Sequence, residues 1–340
     1  MPGIQYIVVD SNRILYEYIG GWADIAAQQP MQDSTTMMAY SQTKTITAAA
    51  ALQLYEHGKL DLKDSIESYI PDLPYKKPIT VQQLLSQTSG LPDPIPLKWA
   101  HLAEEHQQFD ETAALARVLE DNPALSFEPG KKYHYSNISY WLLGQVIEKV
   151  SGKKYENYVR QHIIKPLQIS QMELDCTIPD LSHHAKGYLA KYSFLNLVKG
   201  FLLDKKLIGD KSHYEGNWLH IRNHYLNGPA FGGLIGTARA FSKFLQDQLR
   251  PKSVLLGDEV KKLFYKQQIN NDGGLVNMTL GWHIGHNENI RYFFKEGGGG
   301  GFHCEMRIYP DQGIASVIMV NKTIFKPKKV LDSIDKGFFP

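Results

Sequence analysis

Three short stretches of the chain carry residue types that could cooperate in acyl chemistry. Ser41-Gln42-Thr43-Lys44 falls where a polar stretch gives way to the Ala- and Leu-rich run Thr43 to His57, which Gly58 ends. That run reads as a helix with a glycine C-cap. Residues three apart on a helix share a face, so the Ser41 hydroxyl and the Lys44 amine can meet. The helix N-terminus adds unpaired backbone N–H groups and a positive dipole end, which favour a serine alkoxide and a neutral lysine able to take a proton. The same four residues also describe an N-cap serine followed by an exposed lysine.

Tyr135-Ser136-Asn137 follows Pro129-Gly130 and precedes an amphipathic run. A loop tyrosine can relay a proton, and an asparagine amide both donates and accepts; a packed Tyr with a capping Asn is the plainer alternative. Lys295-Glu296-Gly297-Gly298 ends an apolar run, and glycines continue to Gly301. Glycines there let a substrate backbone approach a strand edge and join its ladder. The backbone N–H of Gly298, with that of Ser41, could form an oxyanion hole. The alternative is a flexible hairpin loop, although five consecutive glycines are entropically costly.

The elements that must position these groups follow from pattern. Ile4 to Asp10 and Arg13 to Tyr18 flank the turn residues Asp10-Ser11-Asn12 and read as a hairpin. Val81 to Gln87 reads as a short helical turn stopped by Ser89-Gly90-Leu91-Pro92, and Ala100 to Glu120 as one or two polar-faced helices. Ser139 to Val150 and Tyr155 to His162 read as a helical pair broken at Ser151-Gly152, and Thr237 to Gln248 as another helix. Four strands are expected at Leu280 to Gly285, Ile290 to Phe294, Phe302 to Tyr309 and Gly313 to Val320, then a helix through Val330 to Lys336. Strands at both ends with helices between them predict an α+β fold. Its antiparallel sheet comes from the terminal segments, about 1–60 and 230–340, and a mainly helical subdomain spans about 61–229 within a single domain. The aromatic-rich segment His183 to Asn227 reads as irregular, with an apolar stretch Phe194 to Leu203. It is expected to bury its side chains against the helical block, and it could also wall an acyl pocket.

In order along the chain, an S-x-x-K on a helix, Y-S-N, and K-x-G on a late strand resemble the serine β-lactamases, penicillin-binding proteins and their esterase relatives. Y-S-N is similar to the class C β-lactamase branch. So is the stretch Val81 to Pro92, which matches "LLxHTSGLP" with Gln87 in place of the usual His. Phe127-Glu128-Pro129-Gly130 and Phe231-Gly232-Gly233-Leu234 before Thr237-Ala238-Arg239 extend the resemblance over nearly the whole chain. The resemblance implies a β-lactamase/transpeptidase-like fold and acyl transfer through an acyl-enzyme. Ser41 is then the nucleophile, and Lys44 and Tyr135 move the proton. Asn137, Lys295, Glu296 and Gly297 bind substrate, and the N–H groups of Ser41 and Gly298 hold the oxyanion. No metal or organic cofactor is required.

Two departures bear on substrate. Glu296 replaces the usual Thr, which helps hold the carboxylate of a β-lactam, and Phe294 stands where a polar residue is common. A carboxylate there repels anionic substrates and tilts the expectation toward esters or peptides. The competing expectations are a β-lactamase or D-Ala-D-Ala peptidase and, from another class, an inactive ligand-binding relative. No G-x-S-x-G occurs, which argues against an α/β-hydrolase. His101 and His106 are five apart, so on one helix they would diverge by about 140° and miss the spacing of a zinc motif.

Composition removes other classes. Of 340 residues 43% are hydrophobic and the formal net charge is +2, with no basic stretch interleaved with aromatics, so nucleic acid is not an expected partner. Cys176 and Cys304 fit no zinc or redox spacing and read as two unpaired buried thiols. No apolar run approaches the roughly 18 residues of a membrane span. The N-terminus shows neither a charged n-region nor an apolar h-region. That is expected of a cytoplasmic protein, or of a periplasmic or secreted one whose leader has been trimmed. The expected partner is a small-molecule or peptide substrate, and the expected state a monomer or weak oligomer.

Overall fold

The computed structural model describes residues 1–94, 98–202, 204–323 and 326–339. The N-terminal apolar run forms β1 (Ile4–Val9), and Asp10 turns the chain by accepting from the backbone N–H groups of Asn12 and Arg13. Strand β2 (Ile14–Gly20) returns beside it, completing the expected hairpin. Helix α1 (Thr43–Glu56) leads into the middle block of α2 (Val81–Leu85), α3 (Glu111–Asp121), α4 (Asn137–Ser151) and α5 (Tyr155–Val159). Strand β3 (Gly187–Ala190), helix α6 (Phe194–Leu202) and strands β4 (Tyr214–Glu215) and β5 (Trp218–Ile221) follow. The one-turn helix α7 (Pro229–Gly232), then α8 (Ala238–Leu249) and α9 (Asp258–Phe264), return the chain to the sheet. It closes with β6 (His283–Asn287), β7 (Ile290–Gly298), β8 (His303–Tyr309) and β9 (Ile314–Val320) before α10 (Pro327–Ile334).

The main sheet is antiparallel, in the order β6-β7-β8-β9-β1-β2, so the first strand pairs with the last: Ile4 lies opposite Val320 and Val9 opposite Ala315. Alternation sorts its side chains between two faces. Ile7, Val9, Met306, Val317 and Met319 enter the main core, whereas Tyr6, Val8, Tyr309 and Ile318 enter a second cluster closed by Leu331 of α10. Because both faces are covered, β9 is buried at every position and reads as an apolar run broken only by Ser316, whose hydroxyl donates to Asp335. Each of its Ile, Val and Met side chains, fully buried, contributes about 1.5–3 kcal/mol.

Helix α1 is buried on all sides from Thr43 to Leu54. Its Ala and Leu side chains fill the core, and its buried polar ones are hydrogen-bonded, Thr45 to the Gln42 carbonyl, Thr47 to the Thr43 carbonyl and Gln53 to the Leu255 carbonyl. It ends at Gly58, whose φ of 64° suits glycine. Packing of α4 on α7 is equally close: a Cβ at Gly144 would stand 2.5 Å from the Ala230 Cβ. That proximity sets α7 beside the first turn of α1.

Several expectations are corrected. Residues 100–120 begin with a strand, Ala100–Leu102, paired with His224–Leu226, and continue as a 3-10 helix before α3. His101 and His106 therefore do not share a helix; their rings stack, with Nε2 and Nδ1 3.0 Å apart. Within 183–227 the described residues include α6 and a three-stranded sheet, β3-β5-β4, rather than irregular chain alone. Tyr188 is buried there, but Tyr192, Phe194 and Leu197 are 83%, 78% and 80% exposed rather than packed against the helical block. Leu203, the end of the expected apolar stretch, lies outside the described residues. Helix α9 had no clear counterpart in the sequence pattern. Cys176 and Cys304 are both buried and unpaired. Among the described residues no helix is long and apolar enough to cross a membrane.

Candidate active site

Ser41 is the central residue of a single 3-10 turn, Tyr40–Gln42, that runs directly into α1. Tyr40 enters this turn with φ of 43°, a left-handed conformation that costs a side-chain-bearing residue about 1–3 kcal/mol. Its buried hydroxyl donates to the Gly300 carbonyl at 2.9 Å and meets His224 Nε2 at 3.0 Å, which holds the turn in place. The N-cap alternative for Ser41 does not hold. The turn has no side-chain cap, and Ser41 Oγ instead meets the Tyr135 hydroxyl at 2.6 Å and accepts from Lys44 Nζ at 3.0 Å.

Lys44 is wholly buried, not exposed. Its Nζ also donates to Asn137 Oδ1 at 2.7 Å and to the Phe231 carbonyl of α7 at 2.5 Å. Three acceptors match the three donors of an ammonium. A neutral amine would keep two of these bonds and point its lone pair at the Ser41 hydroxyl. Burial, aided by the nearby Lys295 charge and opposed by Asp93, pushes the Lys44 pKa well below the ordinary lysine range.

The loop carrying Tyr135 is fixed by Gln87, the residue standing where the resembled branch has His. Gln87 adopts φ of 58°; its side-chain oxygen accepts from Ser136 N at 2.7 Å and its carbonyl from His134 N at 2.8 Å, on either side of Tyr135. Ser136, not Asn137, is the N-cap of α4. The Asn137 amide is thereby free to bridge, accepting from Lys44 and donating through Nδ2 to Asp93 Oδ1 at 2.9 Å; the same oxygen accepts from Asn137 N at 3.0 Å. Burial holds the Tyr135 phenol above its usual range, against the lowering effect of its bond to Ser41.

Strand β7 supplies the third wall. Its partner β6 starts at His283, opposite Phe294, so among the described residues Lys295 to Gly298 are paired only on the β8 side. Lys295 is buried with Nζ 4.8 Å from the centre of the Tyr135 ring, and Lys44 Nζ lies 5.0 Å from the same ring. Lys295 Nζ makes no hydrogen bond to the described residues, and burial lowers its pKa to about 7. Gly297 lies against the nucleophile turn: a Cβ there would stand 2.3 Å from the Ala39 carbonyl and 2.9 Å from Ser41 N. Gly297 and Gly298 are strand residues, so only the rest of the glycine run forms the turn. Glu296 points to the opposite side from Lys295. It is half-exposed and pairs with His303 Nε2 at 2.7 Å, while its charge still raises the pKa values of Tyr135 and Lys295 through space.

The structure thus brings Ser41, Lys44, Tyr135, Asn137, Lys295 and Gly297 together, sets Gly298 next to them in the strand, and leaves Glu296 at the rim. Three contributors escaped the sequence reading. Asp93 directly follows the Ser89 to Pro92 stop signal, the one hint available. The Phe231 contribution is a carbonyl and has no side-chain signature. His283 is a lone histidine at a strand start. Its ring stacks on Tyr135 with centroids 6.3 Å apart, and its Nε2 lies 3.2 Å from the Tyr133 hydroxyl. Burial first, then Lys295 and Lys44, pushes its pKa well below the ordinary range and keeps the ring neutral.

Comparison with known proteins bears on the family and the fold. The Beta-lactamase family model matches residues 1–334. Protein flp of Staphylococcus aureus (strain MW2) is 30% identical over 193 residues, which is 55% of this chain and 38% of that protein. The chain thus spans well under half the length of that relative. Penicillin-binding protein 4* of Bacillus subtilis (strain 168) is 24% identical over 320 residues, covering 93% of this chain and 67% of that one. The crystal structure of D-amino acid amidase from Ochrobactrum anthropi SV3 superposes with a TM-score of 0.78 at 20% identity, covering 98% of this chain and 93% of that one. The fold is that of the β-lactamase/transpeptidase proteins.

Proposed function

The chain belongs to the Beta-lactamase family, and from that premise we propose that it is a serine hydrolase working through an acyl-enzyme, with neutral esters or amides as preferred substrates. The observation that carries this reading is the approach of a wholly buried Lys44 Nζ to Ser41 Oγ at 3.0 Å. In the proposed reaction neutral Lys44 takes the Ser41 proton as Oγ attacks the carbonyl carbon. The N–H groups of Ser41 and Gly298 stabilise the oxyanion. Collapse expels the alkoxide or amine, which takes its proton from Lys44 by way of the Tyr135 hydroxyl. A water molecule then attacks the ester carbonyl and gives its proton to Lys44 along the same route. Collapse breaks the bond from the acyl carbon to Oγ, and Lys44 returns that proton to the Ser41 alkoxide as the acid leaves.

Tyr135 serves as a relay in this scheme, because burial disfavours its phenolate while Lys44 is biased toward the neutral base. Lys295 and Asn137 orient substrate beside the unpaired edge of β7. The ester or amide preference rests on Glu296, whose carboxylate at the rim opposes an anionic substrate. Amide cleavage is further suggested by the structural likeness to the D-amino acid amidase. The deciding experiment is covalent labelling of Ser41 by a fluorophosphonate, with hydrolysis of p-nitrophenyl butyrate, nitrocefin and a D-Ala-D-Ala peptide compared side by side. Labelling that persists in Ser41→Ala would remove the assignment, and an unlabelled, inactive protein would favour a ligand-binding relative.

A further inference from the structure

Helix α6 departs from the usual pattern of a surface helix, because its outer face is apolar. Phe194 and Leu197, three apart and therefore on one face, are 78% and 80% exposed, and Tyr192 just before the helix is 83% exposed. The helix is not adrift. Leu195 packs into a small core with Leu189, Leu207 and Leu219, so the exposed face is held outward by a seated inner face. Exposed apolar groups clustered in this way mark an interaction surface.

The charges around the face indicate what covers it. From Lys191 to Leu203 the sequence contains no Asp or Glu. Lys191 sits over the Tyr192 and Tyr214 rings at 5.7 and 5.6 Å, and Lys199 donates to the Asn196 carbonyl at 3.0 Å. Lys205 and Lys206 follow in the next short helix, where Lys206 pairs with Glu105 at 3.1 Å. Tyrosine, phenylalanine and leucine flanked by lysines are the residue types of a helix that lies in a bilayer interface, with apolar side chains among the acyl boundary and ammonium groups at phosphates.

We propose that α6 docks the protein onto an anionic lipid surface, with Tyr192, Phe194 and Leu197 entering the interface and the lysines contacting headgroup phosphates. The placement also bears on the cleft. Strand β3 runs into α6 and hydrogen-bonds through Tyr188 N to Gly301 O, in the glycine turn next to Gly298, so the docking helix is tied through β3 to a loop beside the candidate active site.

The test is co-sedimentation with vesicles, which reads binding without turnover and so stands apart from the hydrolase assignment. Wild-type protein should pellet with equimolar phosphatidylcholine–phosphatidylglycerol vesicles, stay in solution with phosphatidylcholine alone, and be released by high salt. Phe194→Ser/Leu197→Ser should weaken partitioning at least about tenfold, and Lys191→Gln/Lys205→Gln by roughly tenfold to thirtyfold. Both variants should melt cooperatively as wild type does. Absent binding, or equal binding to both vesicle types, overturns the proposal. So does a wild-type dimer in light scattering that Phe194→Ser/Leu197→Ser dissociates, since a second copy would then cover the face.

Discussion

Lys44 Nζ donates to Asn137 Oδ1 across 2.7 Å, in a pocket where neither side chain has more than marginal access to water. The pair joins the first turn of α1 to the first residue of α4, and together with the bond to the Phe231 carbonyl it leaves Lys44 one further direction in which to act, toward Ser41. If Ser41 forms the acyl bond, Ser41→Ala should abolish hydrolysis while the melting temperature holds. Lys44→Ala should retain the fold and lose on the order of 10² to 10⁴ in rate, the range of positioned acid–base catalysis. Steady-state kinetics on p-nitrophenyl butyrate check both, and appreciable turnover by Ser41→Ala would be decisive against the scheme.

The two lysines set the pH behaviour. Because Lys44 must be neutral to accept a proton, the rate should rise with pH to a plateau whose midpoint lies well below the ordinary lysine pKa. Lys295 lowers that pKa, so Lys295→Met should move the rising limb to higher pH; Asp93 raises it, so Asp93→Asn should move the limb to lower pH. Opposite shifts in the kcat profile would distinguish field effects from general damage to the site.

Stability carries a related signature. Lys295 is held at about 7 when folded and rises to its ordinary 10.5 when unfolded. Between those values the unfolded chain binds more protons, so stability should increase with pH, by at most about 1.4 kcal/mol per unit from this one group. Urea melts at pH 7 and pH 9 should show the increase in wild type and a smaller one in Lys295→Met.

How far the sequence reveals such a site depends on the kind of contact involved. Ser41 and Lys44 are legible because a helix fixes the geometry of residues three apart. The sheet is legible because β1 and β9 are predominantly apolar runs, broken only by Gln5 and Ser316, although their pairing joins opposite ends of the chain. Asp93 and the Phe231 carbonyl reach the site only through tertiary packing, the latter through the α4–α7 contact at Gly144, and neither leaves a local pattern. The segment around α6 misled for a different reason. Its apolar content implied burial, but composition does not say which way a helix faces.

Glu296 offers a test of substrate charge. Its carboxylate pairs with His303 at the rim rather than facing Ser41, so it should act through space on an approaching anion. Wild type should turn over p-nitrophenyl butyrate with a higher kcat/KM than nitrocefin, and Glu296→Thr should narrow the ratio, chiefly through KM for nitrocefin. A wild-type preference for nitrocefin would contradict the ester assignment.

Gly297 permits the most local prediction. Strand β7 approaches the nucleophile turn so closely that an alanine Cβ would lie 2.3 Å from the Ala39 carbonyl and 2.9 Å from Ser41 N. Both are backbone atoms, so no rotamer change can relieve the overlap, and either the strand or the turn must move. Tyr40 already holds that turn in a left-handed conformation through its bond to Gly300, in the glycine turn that β7 leads into, so displacement of one should displace the other. The Ser41 N–H, proposed as one of two oxyanion donors, would be displaced with it. Gly297→Ala should therefore lower kcat by about 10² to 10³, the usual effect of losing one such donor. Cooperative unfolding should persist, with stability reduced by roughly 1–3 kcal/mol. Fluorophosphonate labelling should slow in parallel, because its transition state uses the same donors. A variant with normal labelling and normal kcat would show that the close approach of β7 to Ser41 has no part in the chemistry.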